Sequence, residues 1–326
     1  MEALDPAALD ALIALVDEGS FDAAARRLAV TQSAVSQRLR SLETRVGQPL
    51  VVRSRPLRLT ASGQVLLRHA RQVQALQADL DRELGEQGRT HERVPIAVNA
   101  DSLATWVLPA LQPLVDEGVS LELIVDDQDF THEWLRQGQV LGCVTTLDEA
   151  LRACRVSPLC VMHYVAVASP AFLARQLDGG LHRGNFAQVP FVVFNRKDDV
   201  QAQWVAKAFG LRQPRLVQRH VPSAEAYVRA VAAGWGIGVA AWPLVREAVE
   251  RGALRLLHPQ VTIEIALHWH QWKLLGDEGG AVGPVGTVGG AGRPSLLDRI
   301  GAALAHGAPR DERPPAALVA AASGPS

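Results

Sequence analysis

The stretch from Ser20 to Arg58, SFDAAARRLAVTQSAVSQRLRSLETRVGQPLVVRSRPLR, constrains most tightly what this 326-residue chain can fold into. Ser20 can cap a helix, and Ala23, Ala24 and Ala25 keep that helix thin enough for another to cross it closely. Leu28 and Val30 flank a turn, after which Thr31 caps the next helix. On that helix Val35, Leu39, Leu42 and Val46 share an apolar face, with Gln32, Ser33, Ser36, Gln37 and Arg40 on the other side. Leu50 to Arg53 and Leu57 to Thr60 are expected to form two short strands around Ser54-Arg55-Pro56. Helix, turn, polar-faced helix and basic hairpin together predict a winged helix-turn-helix that enters the major groove of duplex DNA.

The chemistry of the polar face divides the work. Short amides and hydroxyls at Gln32, Ser33, Ser36 and Gln37 can reach base edges, where Gln bonds adenine through two atoms, and Thr31 at the helix start joins the DNA-binding set. Arg38 and Arg40, with Arg53, Arg55 and Arg58 on the wing, suit phosphates, which position a protein without reading sequence. The formal net charge of −1 conceals this concentration: ten arginines lie between Arg26 and Arg71, against the single acid Glu43. A solvated helix face usually mixes signs, and this one does not, so a polyanionic partner is favoured.

Upstream, Asp5-Pro6 precedes the stripe Leu9, Leu12, Ile13 and Val16, and Gly19 ends that helix. Downstream, Thr60 to Leu84 is expected to be one long helix whose Leu66, Val73, Leu76, Leu80 and Leu84 form a seam for pairing with a second chain. Gly85 to Arg89 then forms a hinge. From Val94 short apolar strands alternate with helices, which argues for α/β layers. Two long strands, Leu159 to Ala168 and Val261 to Trp272, are expected to cross between two lobes with a ligand cleft between them.

The predicted organisation is therefore a DNA-binding head at 1–60, a linker helix and hinge at 61–88, and an effector domain at 89–305. In the effector domain, lobe I takes about 93–162 and 266–305, and lobe II about 163–265. Residues 276–294 hold eight glycines and are expected to be a flexible insertion, and 306–326 a disordered tail. The amphipathic, acidic N-terminus is unlike a secretory signal, and no apolar run is long enough to span a membrane. Cys143, Cys154 and Cys160 make an odd count without metal-type spacing, as expected of reduced thiols in a cytoplasmic protein.

SFDAAARRLAVTQSAVSQRLRSLETRVGQPLVVR, followed by LTASGQ, resembles the N-terminal signature of LysR-type transcriptional regulators, densely over about the first 65 residues. The resemblance implies a linker helix and a two-lobed effector domain like that of periplasmic solute-binding proteins. It also implies a homodimer or dimer of dimers on a partly palindromic promoter, with RNA polymerase as a further partner. VNADSLATWVLPAL, SEAY and the strand containing HWH are similar to the branch of that family that senses lysine and arginine and switches on an exporter of basic amino acids.

A basic amino acid needs donors for its carboxylate, acceptors for its ammonium and a further acid for its side chain. Ser102 sits where a strand gives way to a helix, and Thr145 and Thr146 follow another strand. Asp101 lies in the same first loop, Asp126, Asp127 and Asp129 follow Leu121 to Val125, and Glu225 opens a helix in lobe II. Asp and Ser at strand ends serve equally well as turn formers and helix caps; the family resemblance favours Asp101, Ser102 and Thr146 as lining.

Other motifs carry less. Gly234-Trp-Gly-Ile-Gly238 has its strand and glycines in the wrong order for a nucleotide loop and is expected to be a tight turn. His268 and His270 lack a third ligand at a suitable spacing, so no metal is expected. Trp204, Trp235, Trp242, Trp269 and Trp272 are expected in the core or at a lobe interface. No nucleophile–base constellation stands out, so neither an enzyme nor a cofactor is expected. A solute receptor alone is opposed by the intact head.

Overall fold

The computed structural model describes residues 4–52, 54–83, 93–273, 294–310 and 312–315. Arg53, Leu84, the hinge at 85–89, the glycine-rich run to 293 and the tail from 316 lie outside the described residues.

The head is built from capped helices. Asp5 accepts from the Ala7 N–H ahead of α1 (Pro6–Glu18), and Gly19 closes it in the left-handed region at φ 68°. Ser20 caps α2 (Phe21–Arg27) through Ala23 N–H, and Thr31 caps α3 (Gln32–Val46) through Ala34 N–H. Leu9, Leu12, Ile13, Leu15, Val35, Leu39, Leu42 and Leu50 form the core. Val46, expected on the apolar face of α3, is 38% exposed because the helix ends there and Gly47 turns the chain away. The wing is shorter than expected: β1 (Val51–Val52) pairs antiparallel with β2 (Arg58–Leu59).

The long helix α4 (Ala61–Glu83) starts against the head. Gly63 is required there, since a Cβ would lie 2.0 Å from the Leu50 carbonyl oxygen. Leu66 is buried in the head core and Leu76 packs on the effector domain, so neither belongs to a free seam. The exposed apolar stripe of this helix is instead Val65, Val73 and Leu80, at 57%, 37% and 47% exposure.

The effector domain begins with β3 (Val94–Asn99), which leads directly into α5 (Ala100–Ser102). A π-helical turn at Leu103–Val107 continues that helix into α6 (Leu108–Asp116). There follow β4 (Leu121–Asp126), α7 (Thr131–Arg136), β5 (Gly142–Thr145) and the long β6 (Cys154–Ala168). The second lobe holds α8 (Pro170–Gln176), β7 (Pro190–Val193), α9 (Val200–Phe209), β8 (Val217–His220), α10 (Ala224–Ala232), β9 (Gly238–Ala241), α11 (Trp242–Glu250) and β10 (Arg255–Leu257). The long β11 (Ile263–Trp272) returns, and α12 (Leu296–Gly307) closes the domain.

Strand order in the main seven-stranded sheet is β10-β6-β11-β5-β3-β4, with β9 also on β6. β3 runs parallel to both β4 and β5, as alternating strands and helices require. β6 and β11 pair antiparallel from Ile263↔Tyr164 to Trp272↔Cys154, and this ladder runs through both lobes. In the second lobe β7 and β8 form a small parallel sheet. At Gly234–Gly238 the chain makes the expected turn: a Cβ on Gly236 would lie 2.4 Å from the Pro190 carbonyl oxygen. Trp204, Trp242, Trp269 and Trp272 are buried as expected, whereas Trp235 is 49% exposed.

The tail is ordered further than expected. Gly307 still belongs to α12, and the Ala308 N–H bonds the Leu304 carbonyl beneath a buried side chain. Glu312 pairs with Arg246 at 3.1 Å and Arg313 with Glu264 at 3.7 Å, which fastens the chain to the effector domain.

Candidate functional site

The first candidate surface is the free face of α3. Val35, Leu39 and Leu42 are buried, while Gln32, Ser33, Gln37 and Arg40 are exposed and Ser36 and Arg38 half-buried. Thr31 is also exposed, but its hydroxyl is engaged in the cap and in a 2.9 Å hydrogen bond with Ser33 Oγ. Arg55 and Arg58 stand exposed on the wing, where Ser54 Oγ donates to the Pro56 carbonyl at 2.6 Å. Arg27, Arg71 and Arg68 are among the arginines engaged inside the molecule. Asp17 accepts from Arg27 at 2.7 Å and from Arg71 at 2.5 Å, and Arg68 lies over the Trp272 ring at 5.1 Å. The positive field therefore concentrates on α3 and the wing.

The second is a cleft between the lobes, whose empty space, counted out to the open solvent at its mouth, is about 520 Å³. Its lobe I wall carries Asn99, Ala100 and Asp101 from the β3–α5 junction, and Asp126, Asp127 and Gln128 from the end of β4. Tyr164 rises from β6. Phe194, Asp198, Ala224, Tyr227, Val239 and Leu244 contribute to the facing wall. Four aspartates thus converge on one space. The β4 end and the β7 end both open there, the usual place for α/β ligands.

Asp101 is half-buried, and Tyr164 donates its phenolic proton to Asp101 Oδ2 at 2.7 Å. That bond lowers the carboxyl pKa, yet burial outweighs it, and Asp198 and Asp127 add like charge, so the pKa rises from 3.8 to about 6. Gln128 lies 3.1 Å from the same phenol oxygen. Burial also raises Asp127, opposed by the Asp129 N–H it accepts and reinforced by Asp129, Asp198 and Asp126. Asp126 is held rigidly, accepting from its neighbour Asp127 N–H at 2.8 Å and from Trp134 Nε1 at 2.9 Å. Asp198 accepts from Phe194 N–H and Gln201 Nε2. Asn99 is only 3% exposed, and its Oδ1 has no hydrogen-bond partner among the described residues.

Of the residues expected to line the cleft, Asp101, Asp126 and Asp127 do so. Ser102, Thr145, Thr146 and Glu225 do not, and neither does Asp129. Ser102 lies behind the wall, fully buried, with Oγ unpartnered among the described residues. Thr145 Oγ1 donates to the Gln128 carbonyl at 2.9 Å and Thr146 Oγ1 to Asp129 at 2.5 Å, so both hydroxyls brace the β4–α7 loop. Glu225 is exposed in the first turn of α10, and its neighbour Ala224 faces the cleft. Asp198 and Tyr164 went unremarked in the sequence, although Asp198 follows β7 just as Asp126 closes β4.

No group of three or more His, Cys, Asp or Glu side chains is placed to hold a metal among the described residues. His270 Nε2 instead meets the Leu147 carbonyl at 2.8 Å, and burial lowers its pKa. Burial pushes the Cys154 and Cys160 thiols up to about 12 and Cys143 well above its ordinary value, which suits inert packing rather than catalysis. No helix among the described residues is long and apolar enough to cross a membrane.

A winged helix joined by a long helix to a two-lobed domain with an acidic cleft defines the class of ligand-responsive DNA-binding regulators. Residues 6–64 match the family described as bacterial regulatory helix-turn-helix protein, lysR family, and residues 87–276 match the LysR substrate binding domain. The chain belongs to the LysR family of transcriptional regulators, which is not a family of enzymes. It is 41% identical over 276 residues, 84% of this chain and 92% of the relative, to the HTH-type transcriptional regulator ArgP of Aeromonas salmonicida. The crystal structure of ArgP from Mycobacterium tuberculosis superimposes with a TM-score of 0.74 at 37% identity, covering 94% of this chain and 97% of that one. Full-length LysG from Corynebacterium glutamicum with bound effector Arg gives 0.66 at 32% identity, covering 93% and 97%.

Proposed function

We propose that the protein is a promoter-binding regulator whose effector is a basic amino acid, lysine or arginine, held in the cleft between the lobes. The convergence of Asp101, Asp126, Asp127 and Asp198 on one cleft between the lobes carries the reading. A neutral or anionic metabolite would leave most of those charges uncompensated, whereas a cationic side chain and an α-ammonium offset them. The Asn99 Oδ1 supplies a further acceptor. Backbone N–H groups at the start of the α5–α6 helix suit the α-carboxylate. The arginine-bound relative supports the same ligand class.

On the DNA side, Gln32, Ser33, Ser36 and Gln37 read bases, Thr31 fixes the helix start, and Arg38, Arg40, Arg53, Arg55 and Arg58 hold phosphates. Two copies paired through the exposed stripe of α4, or a dimer of dimers, place heads on a partly palindromic site. An effector changes the output only by binding one arrangement of the heads better than another. An exporter of basic amino acids is the target gene that fits such a sensor, with RNA polymerase as the partner of the activated complex in the cytoplasm.

A thermal-shift screen of the twenty amino acids tests the ligand class. Lysine and arginine should raise the melting temperature above any neutral amino acid, since a ligand stabilises the state it binds. Stabilisation by a neutral or acidic amino acid, and not by these two, contradicts the assignment.

A further inference from the structure

Asp126 already meets one cation. Lys197, in the loop after β7 on the second lobe, places Nζ 3.6 Å from Asp126 Oδ1 and 4.1 Å from the centroid of the Phe130 ring. Both partners belong to the first lobe, so the side chain reaches from one lobe to the other at the edge of the cleft. The loop that presents it is pinned. Asn195 Oδ1 accepts from the N–H groups of Lys197 and Asp198, and Asp198 Oδ2 accepts from Phe194 N–H. Asp198 can then face the cleft while Lys197 reaches across it. A carboxylate beside an aromatic face is itself a recognition site for an ammonium or guanidinium.

We propose that Lys197 is a selectivity residue that acts as an internal competitor: its ammonium occupies the Asp126–Phe130 subsite that a cationic ligand side chain would otherwise take. The inference rests on the basic-amino-acid reading and adds to it a residue that limits affinity. Lys197 is half-exposed, so its hold is weak enough for a ligand to displace it. Its charge also offsets one of the aspartates, which lowers the penalty the cleft imposes on neutral amino acids. A lysine here therefore narrows the gap between charged and neutral ligands.

Calorimetric titration of the full-length wild type and of Lys197→Met with L-arginine and with L-citrulline, its uncharged near-isostere, tests this. Lys197→Met should bind arginine roughly fivefold more tightly, with citrulline changed less than about twofold, because only the charged side chain competes with Lys197. Lys197→Arg, which keeps the cation, should stay close to the wild type. Weaker arginine binding by Lys197→Met would mean that Lys197 holds the ligand itself and would overturn the proposal. Equal tightening of arginine and citrulline would make the effect one of shape and overturn it too, as would no change. If the wild type binds neither arginine nor lysine, the effector reading falls and this one with it; binding by the wild type that Lys197→Met leaves unaltered refutes only the role of Lys197.

Discussion

Tyr164 donates to Asp101 at 2.7 Å, tying a strand that runs through both lobes to the first turn of a helix that belongs to one of them. The bond lies at the wall of the cleft, so a ligand that meets Asp101 also meets the element along which the lobes are joined. It also opposes, without cancelling, the rise in the Asp101 pKa that burial causes.

Asp101 has a folded-state pKa of about 6, above its ordinary 3.8. The sign follows from which state holds the proton. Below 3.8 the group is protonated whether the chain is folded or not. Between 3.8 and 6 the folded state holds the proton more tightly, so stability falls as pH rises through that window, by ~3 kcal/mol at most for this step. A cationic ligand prefers the ionised form, so affinity for arginine should rise between about pH 5 and 7, with a proton released on binding near pH 6. Asp101→Asn should flatten both profiles. Calorimetry in buffers of different ionisation enthalpy measures the released proton directly.

The division of labour on the head predicts two different losses. Gln37→Ala should weaken binding to the promoter by about 1–3 kcal/mol while leaving random DNA nearly unchanged. Arg55→Ala should weaken both alike and reduce the log-log salt slope by about 0.9, one phosphate contact. Fluorescence anisotropy across a salt series with the two duplexes separates them. Equal losses on both duplexes for Gln37→Ala would remove its base-reading role.

Ala29, in the turn between α2 and α3, holds φ at 52°, a left-handed conformation that costs a residue with a Cβ about 1–2 kcal/mol. It is exposed, so nothing is lost by removing its methyl group. Ala29→Gly should raise the stability of the head by ~1 kcal/mol, measured by denaturant titration, with DNA affinity kept. A loss of stability would show that the turn gains more from alanine's restricted unfolded state than it loses in strain.

Much of the architecture was legible because its signals are local. Ser20 and Thr31 cap the helices they were expected to cap. Asp126 and Asp127 were found because a strand end in an α/β lobe is recognisable from its pattern. Tyr164 was not, and the reason is physical: Met162 to Ala168 are all buried, so the strand shows no alternation to say which side chains face a cleft. Asp198 goes unmarked, and Glu225 stands as the lobe II acid, because the sequence orders the elements of lobe II without stating which of their ends meets lobe I. Thr145 and Thr146 were misplaced since β5 extends to Thr145, which turns both hydroxyls onto the loop carrying Gln128 and Asp129. The α4 seam was read from spacing alone, and only packing shows that Leu66 and Leu76 are already spent inside the chain.

That correction yields a fourth prediction. With Val65, Val73 and Leu80 as the exposed stripe, Val73→Glu combined with Leu80→Glu should disrupt self-association, because like charges would face each other across the paired helices. Light scattering after size exclusion should report a smaller species, while circular dichroism keeps the folded signal. An unchanged oligomer would place the pairing surface elsewhere.

The central claim is that the acidic cleft selects a cationic side chain. The most direct measurement is calorimetric titration with L-lysine and with L-norleucine, which lacks the ε-ammonium, for the wild type and Asp127→Asn. Wild type should bind lysine and discriminate strongly against norleucine, and Asp127→Asn should weaken lysine by about tenfold, ~1.4 kcal/mol, with no comparable effect on norleucine. Norleucine binding as tightly as lysine, or lysine binding indifferent to the loss of Asp127, would contradict the account.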